Sequence, residues 1–267
     1  ALWDRLLEPL LLAALNTRPE IGSAKLVAAV LRETLAKGGK AYLPRIASPT
    51  LAAALVDPAV ALIEGRGGVF QFGQRLRSIG FGASGAEVLE LSGEDVALTA
   101  HDRIIVAVPP WVAKPLLPGI ETPDEYRAIL SGHFGITPPQ GAAPMTGLIG
   151  ADVEWIFTFP DRISVTISDA DRFNGTGRAE LAEMCWRDVA RVFHLPTELP
   201  PWQIVKEKRA TFAATPAQER KRPGSATPWP NLFLAGDWTA TGLPATIEGA
   251  VRSGKRAAQL VLSSMAG

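Results

Sequence analysis

The stretch Asn231-Leu-Phe-Leu-Ala-Gly-Asp237 and the helical pattern after it narrow the fold more than any other part of the chain. Leu232 to Ala235 is a short, unbroken apolar run, the signature of a buried strand. Gly236 lets the backbone come close to a ligand. Asp237 then sets a carboxylate at the C-terminal edge of the strand, where open α/β sheets bind their ligands. Beyond Gly242 and Pro244, the residues Ile247, Ala250, Val251, Gly254, Ala258, Val261 and Leu262 recur at helical spacing. Thr246 stands where an N-cap belongs, so the free N–H groups and positive dipole end of this helix face the same edge as Asp237.

A carboxylate for sugar-type hydroxyls beside a helix N-terminus for an electron-rich group suits a flavin. The segment Leu234-Ala-Gly-Asp-Trp-Thr-Ala-Thr-Gly-Leu-Pro-Ala-Thr-Ile-Glu-Gly-Ala-Val-Arg-Ser-Gly254 resembles the C-terminal FAD motif of the flavin amine oxidase and phytoene desaturase superfamily. Its wording is similar to that of the squalene-associated branch, the hydroxysqualene dehydroxylases of hopanoid synthesis.

Composition sets outer bounds. Lys plus Arg and Asp plus Glu both number 27, so no net field draws the chain to nucleic acid. Cys185 is the only cysteine, which excludes an internal disulfide and any multi-cysteine metal site. His101, His133 and His194 are too far apart in sequence to give the paired spacing of zinc enzymes. No uninterrupted apolar run is long enough to span a bilayer.

Periodicity divides the rest. Residues 2–15 read as two short helical pieces broken at Glu8-Pro9, and Ser23 caps a helix that Gly38 stops. Another helix follows Thr50, with Asp57-Pro58 as a cap and first-turn proline. After residues 65–68 the pattern turns to short strands at 69–72, 75–79, 87–91, 96–99 and 103–108. A second strand group is expected at 134–136, 145–149, 155–159 and 163–168, then a helix over 178–193 and a strand over 203–212. Residues 217–229, basic and proline-rich, read as a surface loop. Two motif matches are decoys. Gly80-Phe-Gly-Ala-Ser-Gly85 fits G-x-G-x-x-G but leads into a strand pattern, and Gly249 to Arg256 approaches a P-loop inside a helix.

The resemblance implies an α/β (α+β) fold, with a discontinuous FAD-binding domain of the glutathione-reductase/amine-oxidase type interleaved with a substrate domain of mixed sheet and helices. Residues 1–64 would be the helical part of the substrate domain and 65–110 a β-meander of the FAD domain. Residues 111–229 would complete the substrate domain, and 230–267 the FAD-binding strand and helix. It implies FAD contacts at Gly236, Asp237, Thr246, Ile247, Leu76, Val108 and Pro109. Trp155 and Phe157 would line the substrate space, with Glu154 a candidate acid and the catalytic residue otherwise unassigned. The implied reaction removes the hydroxyl of hydroxysqualene, with hydride from reduced flavin giving squalene. The partners implied are an apolar isoprenoid and an N-terminal ADP-binding segment that this sequence does not contain. A cytoplasmic protein is expected, touching the inner face of the membrane, with the leucines of residues 2–12 either core or an interfacial anchor. Two other classes share the motif: a carotenoid-type desaturase or amine oxidase, and a fragment inactive without the ADP-binding segment.

Overall fold

The computed structural model describes residues 2–265. One layer is an antiparallel sheet of five strands, β5 (Tyr126–Phe134), β6 (Met145–Gly147), β7 (Trp155–Phe159), β8 (Arg162–Ile167) and β9 (Trp202–Phe212). Their order is β6-β7-β8-β5-β9. Along β5 the buried residues alternate, Ala128, Leu130 and Phe134 facing one way. That face packs on helix α5 (Arg178–Phe193), whose Leu181, Ala182, Cys185, Trp186 and Val189 fill the same core.

Cys185 is fully buried there, and burial, reinforced by Asp188 and Asp152, pushes its thiol up to about 12. The thiolate is the reactive form. Iodoacetamide should therefore leave Cys185 unmodified in the folded protein at about pH 8 and label it stoichiometrically in denaturant. Mass spectrometry of the two samples checks this, and native labelling would contradict the packing.

The second core gathers α1 (Glu8–Leu15), α2 (Ala24–Glu33), the hairpin β1 (Leu76–Gly82) and β2 (Gly85–Leu91), β4 (Ile104–Val106), α4 (Pro110–Leu116) and β10 (Leu232–Leu234). A short β3 (Val96–Ala97) completes the meander in the order β1-β2-β3. The Gly80–Gly85 match is the β1–β2 hairpin, with Gly82 opposite Gly85. Strand β10 pairs in parallel with β4, and helix α7 (Ile247–Met265) packs on its other side through Ala257. Asn16 joins the two cores. It ends α1 at positive φ, donates to the Arg127 carbonyl and Thr211 hydroxyl, and accepts from the Asp169 N–H at 2.7 Å.

Several expectations need correction. Residues 69–72 form no strand, since no neighbouring strand pairs with them, and Val69 and Phe72 are more than four-fifths exposed. Asp57 is no cap, because helical backbone already runs through Ala52–Val56 into α3 (Asp57–Glu64). Ser23 stands at the start of α2 without a side-chain capping bond. Residues 217–229 are not simply surface: α6 (Pro216–Arg220) precedes Arg222, whose side chain is wholly buried.

The leucines of residues 2–12 divide between the two readings. Leu11 is 2% exposed, whereas Leu6 is 46% exposed. Leu11→Glu should cost several kcal/mol, roughly 3 or more, because it buries a charge without a partner. Leu6→Glu should leave the thermal midpoint nearly unchanged. Melting both variants by circular dichroism separates the positions, and equal losses would contradict the packing of α1.

Candidate functional site

The loop after β10 is built around backbone that only glycine adopts readily. Gly236 sits at φ +143°, and a Cβ there would lie 2.6 Å from the Trp238 indole nitrogen. Its N–H donates to Ser253 Oγ on α7 at 3.0 Å, and its carbonyl accepts from Thr239 Oγ1. Trp238, 1% exposed, donates to the Val108 carbonyl at 2.9 Å and so ties the loop to the strand–helix junction before α4.

Arg222 holds the loop from below. Its guanidinium donates to the carbonyls of Asp237 (3.1 Å), Trp238 (3.3 Å) and Thr239, and to the Thr241 hydroxyl. Glu219 balances its charge at 2.6 Å, and the Phe212 ring covers it with the guanidinium carbon 4.8 Å from the centroid. These carbonyls lie in a tight loop with no ladder partner, so a buried cation is their main source of hydrogen bonds. Nothing in Glu219-Arg-Lys-Arg222 marks the last residue as buried while Arg220 and Lys221 face outward, so sequence reasoning missed it.

Between this loop and α4 lies a cavity of about 310 Å³. Val108, Pro109, Pro110 and Trp111 form one wall, Arg209 to Phe212 of β9 another, and Gly236, Asp237, Trp238 and Ala250 the floor. Among the described residues that line it, Asp237 is the only carboxyl group and Arg209 the only cation. Burial pushes the pKa of the Asp237 carboxyl above its ordinary value, opposed by Arg222 and by main-chain N–H groups.

Of the residues expected in a site, Gly236, Asp237, Val108 and Pro109 therefore meet at one cavity. Thr246 and Ile247 lie just outside it, at the start of α7, which reaches the cavity through Ala250. Thr246 caps that helix as expected, its Oγ1 accepting from the Gly249 N–H at 3.1 Å. The N–H groups of Ile247 and Glu248 are the ones such a helix leaves open at its end.

The other candidates are elsewhere. Leu76 pairs with Leu91 in the meander and does not line the cavity. Glu154 lies beside a separate cavity of about 430 Å³ with Arg18, Asp169 and Arg172. It accepts from the Ser168 N–H at 3.0 Å, and burial is the main reason its carboxyl is raised. Trp155 and Phe157 are half-buried on the sheet face opposite α5, while Ile156 between them points into the α5 core. Trp155 packs its ring over Gly147, directly across in β6.

A half-buried carboxylate, a glycine without a Cβ beside it and an open helix end form a donor and acceptor set that fits a flavin's ribityl chain and electron-rich ring edge. Residues 1–262 match the family described as flavin-containing amine oxidoreductase, and the chain belongs to that family. FAD is accordingly its cofactor. At the level of individual relatives, the chain is 55% identical over 264 residues to a hydroxysqualene dehydroxylase of Rhodopseudomonas palustris, covering 98% of this chain and 63% of that protein. It is 52% identical over 262 residues to a second, from Sinorhizobium fredii, again covering 98% of this chain and 63% of the relative. The chain thus spans less than two thirds of the length of these curated relatives. An oxidoreductase of known structure from Methanosarcina mazei superposes with a TM-score of 0.68 over 99% of this chain and 64% of the other, at 14% identity. That likeness establishes the α/β fold.

Proposed function

We propose that this chain carries the ribityl and ring side of the FAD site, together with the substrate region, of a hydroxysqualene dehydroxylase, which converts hydroxysqualene to squalene. The single observation that carries the reading is the cavity joining Asp237 and Gly236 to Val108 and Pro109. The identities to the two relatives supply its chemical content.

Asp237 would accept hydrogen bonds from ribityl hydroxyls, and the open N–H of Ile247 would face the ring edge, where the helix dipole favours negative charge. Trp111, Phe212 and Pro109 exclude water from the reacting carbon. When bound, reduced flavin supplies a hydride equivalent to that carbon. The overall change is alcohol plus proton plus hydride to hydrocarbon plus water, and the hydroxyl departs readily because it is allylic. Among the described residues lining this cavity, Asp237 is the only carboxyl group.

The ADP half of the cofactor is assigned to a further segment with a strand, glycine-rich turn and helix. Two features support a missing neighbour. The parallel pair β10–β4 has only two strands, although parallel sheets are ordinarily larger and covered on both faces. Residues 52–64 form apolar helix with no buried side chain. No helix of the described residues is long and apolar enough to cross a membrane. The exposed Leu2, Trp3 and Leu6 are assigned to peripheral contact with the bilayer that dissolves the substrate.

The test is a single turnover. The assembled protein, this chain with its ADP-binding segment, is loaded with FAD, reduced without oxygen and mixed with hydroxysqualene. One squalene should appear per flavin reoxidised. Flavin that stays reduced while hydroxysqualene remains intact would rule the reaction out.

A further inference from the structure

We infer that Arg209 is the binding residue for the oxygen of the substrate alcohol. The inference rests on the function proposed above and assigns a residue that neither the motif nor the comparisons identify.

Arg209 is exposed to solvent, and three features direct its guanidinium toward the Asp237 cavity that it lines. The first is a bulge. Arg127 faces Thr211 and Ile129 faces Glu207, so the single residue Ala128 of β5 is opposed by Lys208, Arg209 and Ala210 of β9. Bulges re-aim side chains and recur beside active sites. Here Glu207 closes the bulge, its Oε1 accepting from the Arg209 N–H at 3.0 Å. The second is an aromatic corner. Trp111 and Tyr126 meet edge to face with centroids 5.1 Å apart, and the Arg209 guanidinium carbon lies 5.3 Å from one ring and 5.6 Å from the other. Such contacts fix the direction of a cation while leaving its N–H groups free. The third is what is lacking: among the described residues no carboxylate lies within ion-pair distance of Arg209.

The position decides between two oxygen-bearing ligands. Asp237, Gly236 and α7 belong to the part of the cavity assigned to flavin, whereas Arg209 and Tyr126 come from the five-stranded sheet on the other side. A donor from the sheet side meets the substrate. Arginine stays protonated, so it orients and polarises the hydroxyl oxygen and transfers no proton. It also discriminates: a hydrocarbon would leave the guanidinium without the oxygen it was aimed at, so product is held less tightly than alcohol.

The experiment compares hydroxysqualene and squalene binding, by equilibrium titration of detergent-dispersed ligand, to the FAD-loaded assembled protein and its Arg209→Met and Arg209→Lys variants. FAD affinity is measured in parallel. Arg209→Met should weaken alcohol binding by about tenfold or more, leaving squalene binding and FAD affinity unchanged. Arg209→Lys should recover part of the loss. Unchanged alcohol binding in Arg209→Met, or equal loss for both ligands, overturns the inference while the function stands. Loss of FAD affinity with alcohol binding intact also overturns it and moves Arg209 to the cofactor. A parent protein that binds FAD but neither ligand overturns the function and the inference with it.

Discussion

Arg222→Met should be the most damaging single substitution in the C-terminal part of the chain, costing about 3–5 kcal/mol of stability. The methionine fills similar space but leaves the buried Glu219 carboxylate with only the exposed Lys25 as its ion-pair partner, at 3.1 Å. The carbonyls of Asp237, Trp238 and Thr239 also lose their donor. Arg222→Lys should recover little, since one ammonium cannot reach three carbonyls, a hydroxyl and a carboxylate in a planar fan. Urea unfolding of parent and variants measures the loss. A change below about 1 kcal/mol would place Arg222 among ordinary surface residues.

Asp237 carries the second large effect, and its sign differs between the free and the flavin-bound protein. Without cofactor, burial holds its carboxyl above the ordinary value of 3.8. The folded chain then keeps a proton that the unfolded chain has lost, so this group subtracts stability as pH rises from 3.8 through the raised value. The subtraction is complete once pH exceeds the raised value and vanishes in acid. Asp237→Asn should therefore melt higher than the parent near pH 7, the two converging as pH approaches about 4. With FAD bound the order reverses. Asp237→Ala should weaken cofactor binding in the assembled protein by roughly 1–3 kcal/mol, the cost of leaving hydroxyl donors without their charged partner. Asp237→Asn, which keeps an acceptor, should lose less. Thermal scans across pH and FAD titrations check the two halves. A parent that melts higher than Asp237→Asn at neutral pH, or an alanine variant with unchanged FAD affinity, would remove Asp237 from the site. On the proposed function, the carboxylate is a stability cost retained for binding.

Legibility in the sequence followed the strength of the local signal. Helix α5, strand β7 and the β10–loop–α7 unit were readable because their periods are long or their turn residues have little choice of conformation. The interior strand β5 was not. Its inward positions include Ala128 and Gly132, too small to mark an alternating pattern, and Arg127 and His133 interrupt the apolar reading. Residues 69–72 failed the other way: Val-Phe-Gln-Phe alternates like a strand, yet a strand exists only against a partner, and none of the described residues provides one. The site divided similarly. Gly236, Asp237 and Thr246 are written in a local motif. Arg209 and Arg222 depend on a bulge and on burial, both products of distant packing, and in sequence they are two basic residues among several.

The central claim is that FAD occupies the cavity between the Gly236 loop and the Val108–Trp111 segment. Hydrogen–deuterium exchange on the assembled protein, with and without stoichiometric FAD, tests it most directly. Binding should slow exchange in peptides covering 107–111, 236–238 and 246–250. Peptides around Glu154, and those covering 183–199 on the outer side of α5, should exchange at unchanged rates. Stoichiometric FAD binding that leaves the 236–238 amides unprotected, or protects only peptides outside these three segments, would contradict the account.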